Sequence, residues 1–216
     1  MPRESFPIKR LVRPTAQVAL FCVLPVLGAP ERLTSPRLLA IAALYFISDL
    51  FQPPLISSSE RGSADRMSLQ VLLTAAILAQ VLPIIEWAYF SAAPPNPVPI
   101  TLGAFMMLTG AALRIWSIVT LGRFFSVRVE IQNEHCLVRE GPYRWIRHPS
   151  YTGAALALIG VAVMLQVPTS LIVGTCALAV GYAYRIHTEE QALRRHFGEA
   201  FQRYERETKR LIPLVW

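Results

Sequence analysis

The feature that most constrains the fold of this chain is a run of 37 consecutive residues, 148–184, without Asp, Glu, Lys or Arg. At about 1.5 Å per residue, a single helix of this length would measure ~55 Å, whereas the hydrocarbon core of a bilayer is ~30 Å thick. Residues 166–170, Gln-Val-Pro-Thr-Ser, interrupt the run, and proline disfavours helix in the residue before it. The run therefore predicts a tight hairpin of two short membrane helices.

Four further apolar segments precede the hairpin, and the whole set comprises residues 15–29, 37–56, 67–91, 99–121, 151–166 and 168–186. Apolar runs of about 18 residues or more are typical of membrane-spanning helices. The composition agrees, because 53% of the residues are hydrophobic and 16% are charged, whereas soluble domains carry about 25% charged residues. We therefore expect an all-α, polytopic transmembrane helix bundle of five or six spans. The same features argue against a disordered chain, a disulfide scaffold and a soluble Rossmann or TIM-barrel enzyme.

The first apolar segment decides between five and six spans. It is short, contains Pro25 and Gly28, and follows a basic stretch of the kind that also begins secretory signal peptides. Residues 27–30, Leu-Gly-Ala-Pro, make a poor cleavage site. A membrane helix or re-entrant segment is therefore favoured over a cleaved signal.

Charge placement predicts the orientation in the membrane. Five arginines lie between the fourth segment and the hairpin, and seven more basic residues follow from position 185 to the C-terminus. Cytoplasmic loops accumulate basic residues, so both regions, and the C-terminus, are expected on the cytoplasmic side, at the inner membrane if the source is bacterial. This bias accounts for the net charge of +7 better than nucleic-acid binding does, and we expect no nucleic-acid partner.

Two patterns within the last third of the chain predict how its helices pack. Small residues four apart, Gly153 with Ala157 and Ala177 with Gly181, would let helices approach closely. After the hairpin, apolar residues recur every three or four positions among charged ones, at Leu193, Phe197, Phe201 and Tyr204. This spacing predicts a C-terminal amphipathic helix, which we expect to lie along the cytoplasmic membrane surface.

The densest mixture of chemical groups lies in residues 132–151, directly where the chain re-enters the membrane. Tyr143, Trp145 and Tyr151 offer ring faces for a purine, while Arg147 and His148 offer hydrogen-bond donors. A loop that is hydrophilic only for solubility would not need this mixture, so a binding site is favoured. For His148 considered alone, the ordinary interpretation is a helix cap or a bond to a backbone carbonyl.

A second cluster, formed by Arg185, Glu189 and Glu190, follows the hairpin. Arg185 and Glu189 are four residues apart and share a helix face, which makes a plain ion pair the simplest interpretation. The alternative is that Arg185 binds an anionic acceptor and Glu189 faces a cationic or hydroxyl-bearing cofactor. The hairpin favours the alternative, because it returns Arg185 to the side of the membrane that the chain left at Tyr151.

Three other charges, Asp49, Glu86 and Arg114, fall inside predicted membrane helices. Charge at membrane depth is costly and marks either a functional site or a structural ion pair. The chain has no GxGxxG, P-loop, GxSxG or HExxH motif, and its three cysteines and four histidines lack metal-ligand spacing. We expect no metal.

The second half of the chain contains an ordered set of short motifs. In chain order they are His135-Cys-Leu-Val138, Gly141-Pro-Tyr143, Arg147-His-Pro-Ser-Tyr151-x-Gly153, the hairpin, Arg185-x-x-x-Glu189-Glu190-x-x-Leu193-x-x-x-Phe197-Gly198, Tyr204 and Pro213. As an ordered set they resemble the isoprenylcysteine carboxyl methyltransferase family of integral membrane methyltransferases. The resemblance covers roughly residues 120–214, and the N-terminal half is similar only in being hydrophobic. The RHPxY element alone is less specific, because some membrane sterol reductases and phospholipid N-methyltransferases are similar there.

The resemblance implies a membrane enzyme that binds S-adenosylmethionine at the cytoplasmic face and takes a lipophilic acceptor from the bilayer. By position, the implied cofactor-binding residues are Gln132, His135, Cys136, Leu137, Val138, Tyr143, His148, Pro149, Ser150, Tyr151, Glu189 and Glu190. Arg185 matches the arginine that holds the acceptor carboxylate, and Arg147 is a second candidate for the substrate. Arg185 and Glu189 are the implied catalytic pair.

These implications divide the chain into an N-terminal membrane region, 1–121, which would shape the acceptor pocket, and a catalytic region, 122–216. Methyl transfer to an ionised carboxylate is an in-line displacement that needs alignment and no general base, so Arg185 is assigned to orientation. A phenol, thiol or amine acceptor, including a phospholipid amine, would need a base, for which Glu189, Glu190 and His148 are the candidates. An NADPH-dependent membrane reductase and a non-catalytic scaffold are the competing classes.

Overall fold

A computed structural model describes residues 9–52, 63–91, 94–125 and 136–212. The helices are α1 (Lys9–Val18), α2 (Pro36–Leu50), α3 (Ser63–Tyr89), α4 (Pro97–Leu121), α5 (Pro149–Leu165), α6 (Pro168–Phe197) and α7 (Glu199–Glu207). Helix α1 continues as a π turn, Ala19–Val23, and a 3-10 turn, Leu24–Val26. The described residues form no β-strand and only one isolated parallel bridge, between Ile146 and Lys209. The all-α prediction is confirmed.

Three helical stretches are long and apolar enough to cross a membrane, namely Arg66–Tyr89, Pro97–Phe124 and Pro168–Phe197. Two shorter apolar stretches, Val12–Val26 and Pro149–Leu165, pack beside them. Many large apolar side chains, such as Phe105, Leu108 and Val180, point outward from the bundle. An apolar outer surface of this kind suits contact with lipid.

Prolines begin most of the long helices. Pro36, Pro97, Pro149 and Pro168 each occupy the first helical position, where the missing N–H has no intrahelical partner to lose. Between α5 and α6 the chain turns in two residues, and Gln166 adopts a left-handed conformation with φ of 61°. The predicted tight hairpin is therefore present.

The small residues of the hairpin pack outward. A Cβ atom built on Gly110 of α4 would lie 2.5 Å from the Ala157 nitrogen and 2.6 Å from the Gly153 oxygen of α5. Gly181 of α6 similarly faces Ala75 of α3. The hairpin helices thus use these positions to approach α4 and α3, so residues 122–216 pack closely against residues 1–121.

Substitution of Gly110 by alanine should destabilise the bundle, because its Cβ would meet backbone atoms that no side-chain rotation can move. We expect a loss of about 1–3 kcal/mol in the free energy of unfolding, measured by thermal unfolding in detergent. Gly174→Ala is the matched control, since its Cβ would lie 3.4 Å from the Ala79 Cα, an ordinary contact. Equal destabilisation by both variants would contradict the α4–α5 contact.

The C-terminal amphipathic helix differs from the prediction in extent and in partner. Helix α6 continues to Phe197, and Gly198, with φ of 52°, separates it from α7. Leu193 therefore belongs to α6. The apolar side chains of α7, Phe201 and Tyr204, are buried in the protein. The expectation that this face lies on the membrane surface is wrong, because the protein itself covers these side chains, and Tyr204 contacts the segment before α5.

Two of the three charges at membrane depth have structural partners. Asp49 is buried and forms an ion pair with Arg13 at 3.1 Å, joining α2 to α1. The Glu86 carboxylate accepts hydrogen bonds from the Ser170 nitrogen at 2.6 Å and the Thr169 nitrogen at 3.3 Å, which fixes the end of α3 to the start of α6. Acidic groups are favourable at a helix N-terminus. The structural interpretation therefore applies to both residues.

Candidate functional site

The hairpin brings the first turn of α5 beside the C-terminal half of α6. The Tyr151 hydroxyl donates to Glu189 Oε2 at 3.0 Å, and His148 Nδ1 lies 4.0 Å from the same oxygen. On its other side, His148 Nε2 lies 3.3 Å from Glu190 Oε1. The two clusters that the sequence singles out thus meet in one place.

Arg185 lies at the inner end of this place, one turn of α6 below Glu189. It is 1% exposed, and its guanidinium donates to Ser68 Oγ of α3 at 2.9 Å and also faces Tyr151. The Tyr151 ring packs against the Tyr182 ring, with centroids 5.1 Å apart. The guanidinium is therefore held in a fixed position by a hydroxyl and an aromatic wall.

A second guanidinium reaches the site from α4. Arg114 donates through one nitrogen to the Ser150 oxygen and to Ser150 Oγ, both at 3.2 Å. Its charge acts on Tyr151 and Tyr182, the rings that line the Arg185 side. The sequence marks Arg114 only as a charge at membrane depth, because no motif links α4 to the start of α5. Arg185 and Arg114, from different helices, thus both face Tyr151.

Glu190 faces inward from α6 and is surrounded by cations. Its side chain is 1% exposed, and it accepts from Arg147 Nε at 2.9 Å and from Arg210 Nε at 3.1 Å. A buried carboxylate is stable only with such partners, and each cation likewise needs the carboxylate. Arg147 and Glu190, implied to contact substrate and cofactor, are thus bonded to each other.

The chain after α7 returns to the entry of α5. The Arg147 nitrogen donates to the Lys209 oxygen at 2.7 Å, and the His148 nitrogen donates to the Arg210 oxygen at 3.0 Å. In the other direction, the Lys209 nitrogen donates to the Trp145 oxygen at 3.2 Å. This C-terminal strap, residues 208–211, fixes the backbone of His148. No sequence pattern signals it, since so short a backbone pairing requires no side-chain type.

Two buried tyrosines anchor the segment before α5. The Tyr204 hydroxyl of α7 donates to the Tyr143 oxygen at 2.6 Å, and the Tyr143 hydroxyl donates to the Ser117 oxygen of α4 at 3.4 Å. Burial raises the pKa of both phenols above the ordinary value, so both hydroxyls stay protonated and act as donors. The Arg139 guanidinium lies over the Tyr204 ring and donates to the Ala200 oxygen.

The other implied cofactor residues are distributed along the same route. Pro149 and Ser150 are buried in the first turn of α5. Leu137 and Val138 are half-buried and Cys136 is exposed, just before Arg139. Gln132 and His135 lie outside the described residues.

The chemistry of this end of the bundle is that of a charged site between tyrosine rings. Glu189, whose side chain is 32% exposed, presents a carboxylate, while Arg185 and Arg114 present cations deeper in the bundle. A cationic group beside Glu189 and an anionic group beside the arginines would both be matched in charge. The fold and the site together define an all-helical protein with three helices long and apolar enough to cross a membrane and with a cluster of opposite charges at one end.

Comparison with known proteins shows which family part of this chain is similar to. Residues 102–195 match the model of the isoprenylcysteine carboxyl methyltransferase (ICMT) family. The chain is 33% identical over 116 residues to a probable protein-S-isoprenylcysteine O-methyltransferase of Oryza sativa subsp. indica. It is 36% identical over 115 residues to protein-S-isoprenylcysteine O-methyltransferase B of Arabidopsis thaliana, and 32% identical over 116 residues to the Saccharomyces cerevisiae enzyme.

Residues 102–195 are thus similar to the isoprenylcysteine carboxyl methyltransferase family. The aligned parts cover 53%, 52% and 53% of this chain, and 61%, 58% and 48% of the rice, Arabidopsis and yeast proteins. The chain thus spans about half to six-tenths of the length of these relatives. The family region begins within α4 and so includes Arg114, earlier than the resemblance from residue 120 onward.

The fold extends the similarity to the N-terminal half. The structure of the eukaryotic intramembrane Ras methyltransferase matches with a TM-score of 0.64 and 25% sequence identity, over 94% of this chain and 75% of that one. The helices before α4, which carry no recognisable motif, therefore follow the architecture of that enzyme.

Proposed function

We propose that the chain is a membrane methyltransferase that uses S-adenosylmethionine to methylate the carboxylate of a lipophilic acceptor such as a C-terminal prenylcysteine. The observation that carries this proposal is Arg185, held beside the Tyr151–Glu189 hydrogen bond within the family region. The acceptor enters from the surrounding membrane lipid, to which the apolar outer surface of the bundle is suited.

The residues at the outer end of the site fit the methyl donor. Glu189 offers a partly exposed carboxylate for its cationic or hydroxyl groups, and Tyr151 and His148 orient that carboxylate. The segment from Cys136 to Tyr143 and the first turn of α5 supply the remaining contacts, together with Gln132 and His135. When bound, S-adenosylmethionine supplies an electrophilic methyl group that an ionised carboxylate can accept without a general base.

The residues at the inner end fit the acceptor. Arg185 binds and orients the acceptor carboxylate, since a planar guanidinium matches a carboxylate at two points. Arg114 adds a second positive charge and favours an anionic acceptor over an amine. The tyrosine rings exclude water, which strengthens both charge interactions. Arg147 and Glu190 act indirectly, by fixing the entry of α5 on which His148 lies.

We propose six membrane crossings with this site on the cytoplasmic side. The count takes the three long apolar helices together with the stretch Val12–Val26, α2 and α5, and the start of α4 meets the end of α5 where the Asn96 nitrogen donates to Gln166 Oε1 at 3.2 Å. Among the described residues, Arg139 and Arg147 before α5 and Arg194 and Arg210 after Arg185 form ion pairs at the end that carries the site, which supports a cytoplasmic location under the positive-inside bias.

Thermal unfolding of the detergent-purified protein tests the cofactor. We expect S-adenosylhomocysteine to raise the unfolding temperature and NADPH to leave it unchanged. A ligand at a hundredfold excess over its Kd stabilises the folded state by about 2.7 kcal/mol, which is readily measured. A shift with NADPH alone would overturn the proposal in favour of a membrane reductase.

Replacement of Glu189 by glutamine should weaken the S-adenosylhomocysteine shift, because it removes the negative charge and keeps the side-chain size. We expect about a tenfold rise in the Kd, the effect of losing a charge-assisted hydrogen bond. Glu199→Gln, on the exposed side of α7, is the matched control and should leave the Kd unchanged. Equal Kd values for Glu189→Gln and the parent protein would remove Glu189 from the site.

A further inference from the structure

A pair of arginines on one indole lies at the end of the bundle away from the methyltransfer site. Trp87, in the last turn of α3, is 1% exposed. The Cζ atoms of Arg32 and Arg37 lie 4.8 and 5.2 Å from the centre of its ring. Arg32 ends the short 3-10 turn Pro30–Arg32, and Arg37 lies in the first turn of α2. The indole therefore fixes two like charges close together.

These two charges are not balanced by the acidic residues nearby. Glu86 accepts from the first N–H groups of α6, and Glu31 is exposed. Within the part of the chain that the structure describes, neither arginine forms an ion pair, and Arg32 Nε is buried with no hydrogen-bond partner. Arg32 makes only a long hydrogen bond, 3.5 Å, to the Ser91 oxygen. Two guanidinium groups held in this way repel each other unless an anion joins them.

The position of the cluster indicates which anion is available. Glu86 ties the end of α3 to Ser170, and from Ser170 to Glu189 helix α6 rises about 28 Å. This distance is close to the thickness of the hydrocarbon core, so the cluster lies at the opposite membrane interface from the site. Exposed aromatic residues beside it, Tyr89 and Phe90, are typical of that level. Phospholipid headgroups therefore lie at the height of the two arginines.

We propose that Arg32 and Arg37, held by Trp87, form a binding site for the phosphate of an anionic phospholipid in the leaflet opposite the methyltransfer site. Guanidinium groups match phosphate oxygens at two points and lose less hydration than an ammonium group. Each guanidinium stacks with one face on the indole, so its N–H groups remain available to a phosphate. A headgroup without a cationic substituent suits the site, because choline would add a third positive charge.

The test measures lipid binding by the delipidated protein in neutral detergent, by native mass spectrometry and thermal unfolding. The probes are phosphatidylglycerol, phosphatidylcholine and inorganic phosphate. We expect phosphatidylglycerol to bind and stabilise, phosphatidylcholine to bind more weakly, and inorganic phosphate to do neither at millimolar concentration. The double variant R32Q/R37Q should bind phosphatidylglycerol about 30-fold more weakly. Each arginine near the headgroups contributes a factor of about five in affinity, and the two factors multiply.

The double variant R203Q/R206Q is the matched control, since it removes two exposed arginines from α7 and changes the net charge equally. It should keep the affinity of the parent protein within about twofold. The variant R32K/R37K keeps both charges and should lose less affinity than R32Q/R37Q. It also shows whether a folding defect, and not the loss of charge, explains the result for R32Q/R37Q. Equal losses in R32Q/R37Q and R203Q/R206Q would overturn the site, as would stabilisation by inorganic phosphate equal to that by phosphatidylglycerol.

Discussion

Replacement of Arg185 by alanine should lower the kcat for methylation of a prenylcysteine carboxylate by about 100-fold or more, and leave S-adenosylhomocysteine affinity almost unchanged. Loss of orientation of a reacting group costs rates of this order. The binding of the methyl donor should survive, because the Tyr151–Glu189 hydrogen bond and the place of His148, 4.0 Å from the Glu189 carboxylate, do not require Arg185. Turnover of N-acetyl-S-farnesylcysteine and the thermal shift with S-adenosylhomocysteine, measured on the same preparation, separate the two effects.

The thermal shift also reports whether the buried substitution has disturbed the fold. Arg185→Lys keeps the charge but lacks the planar fork, so it should recover only part of the activity. Arg195→Ala, on the exposed surface of the same helix, is the matched control and should keep full activity. A loss of cofactor affinity in Arg185→Ala equal to that in Glu189→Gln would contradict the division of roles between the two residues.

The parts of the fold that the sequence predicts correctly depend on local signals. A charge-free run longer than a bilayer, broken at Pro168, has few solutions other than a hairpin. The amphipathic spacing also predicts α7 correctly. The surface that its apolar face contacts was expected to be the membrane and is instead the protein. Periodicity identifies an apolar face but does not indicate what covers that face. The burial of Phe201 and Tyr204 against the protein could therefore not be predicted from the spacing.

The parts that the sequence does not predict are contacts between distant segments. Ser68 has no charge and belongs to no motif, yet it bonds to Arg185 across 117 positions of the chain. The sequence identifies Arg114 as a charge in an apolar helix, but it does not identify Ser150 as the hydrogen-bond partner of Arg114. Such pairs depend on which helices are neighbours, and neither hydrophobicity nor spacing encodes that information.

These long-range contacts lie at the proposed acceptor end of the site. Arg185 is bonded to α3, and Arg114 lies on α4, so α3 and α4 both reach this end. The α4–α5 backbone contact at Gly110 fixes the distance between Arg114 and the first turn of α5. The proposed acceptor site therefore depends on both halves of the chain. Changes in α3 should alter acceptor preference more than cofactor affinity.

Replacement of Glu190 by alanine should cause the largest loss of stability among these variants. The substitution leaves Arg147, whose side chain is 8% exposed, without its buried carboxylate, and removes the contact to Arg210 of the C-terminal strap. Breaking a buried pair by deleting one partner costs about 3–5 kcal/mol. Thermal unfolding in detergent measures this loss, and hydrogen exchange at Lys209 and Arg210 should show that the strap opens first.

Glu207→Gln is the matched control for Glu190→Ala, because Glu207 also pairs with an arginine, Arg139, but is 62% exposed. An exposed pair of this kind contributes about 0–1 kcal/mol, so the control should unfold near the temperature of the parent protein. Glu190→Ala should also weaken S-adenosylhomocysteine binding, since His148 loses its hydrogen-bond partner and its backbone tie together. A variant that kept full cofactor affinity after the strap had opened would show that Glu190 stabilises the fold without positioning the site.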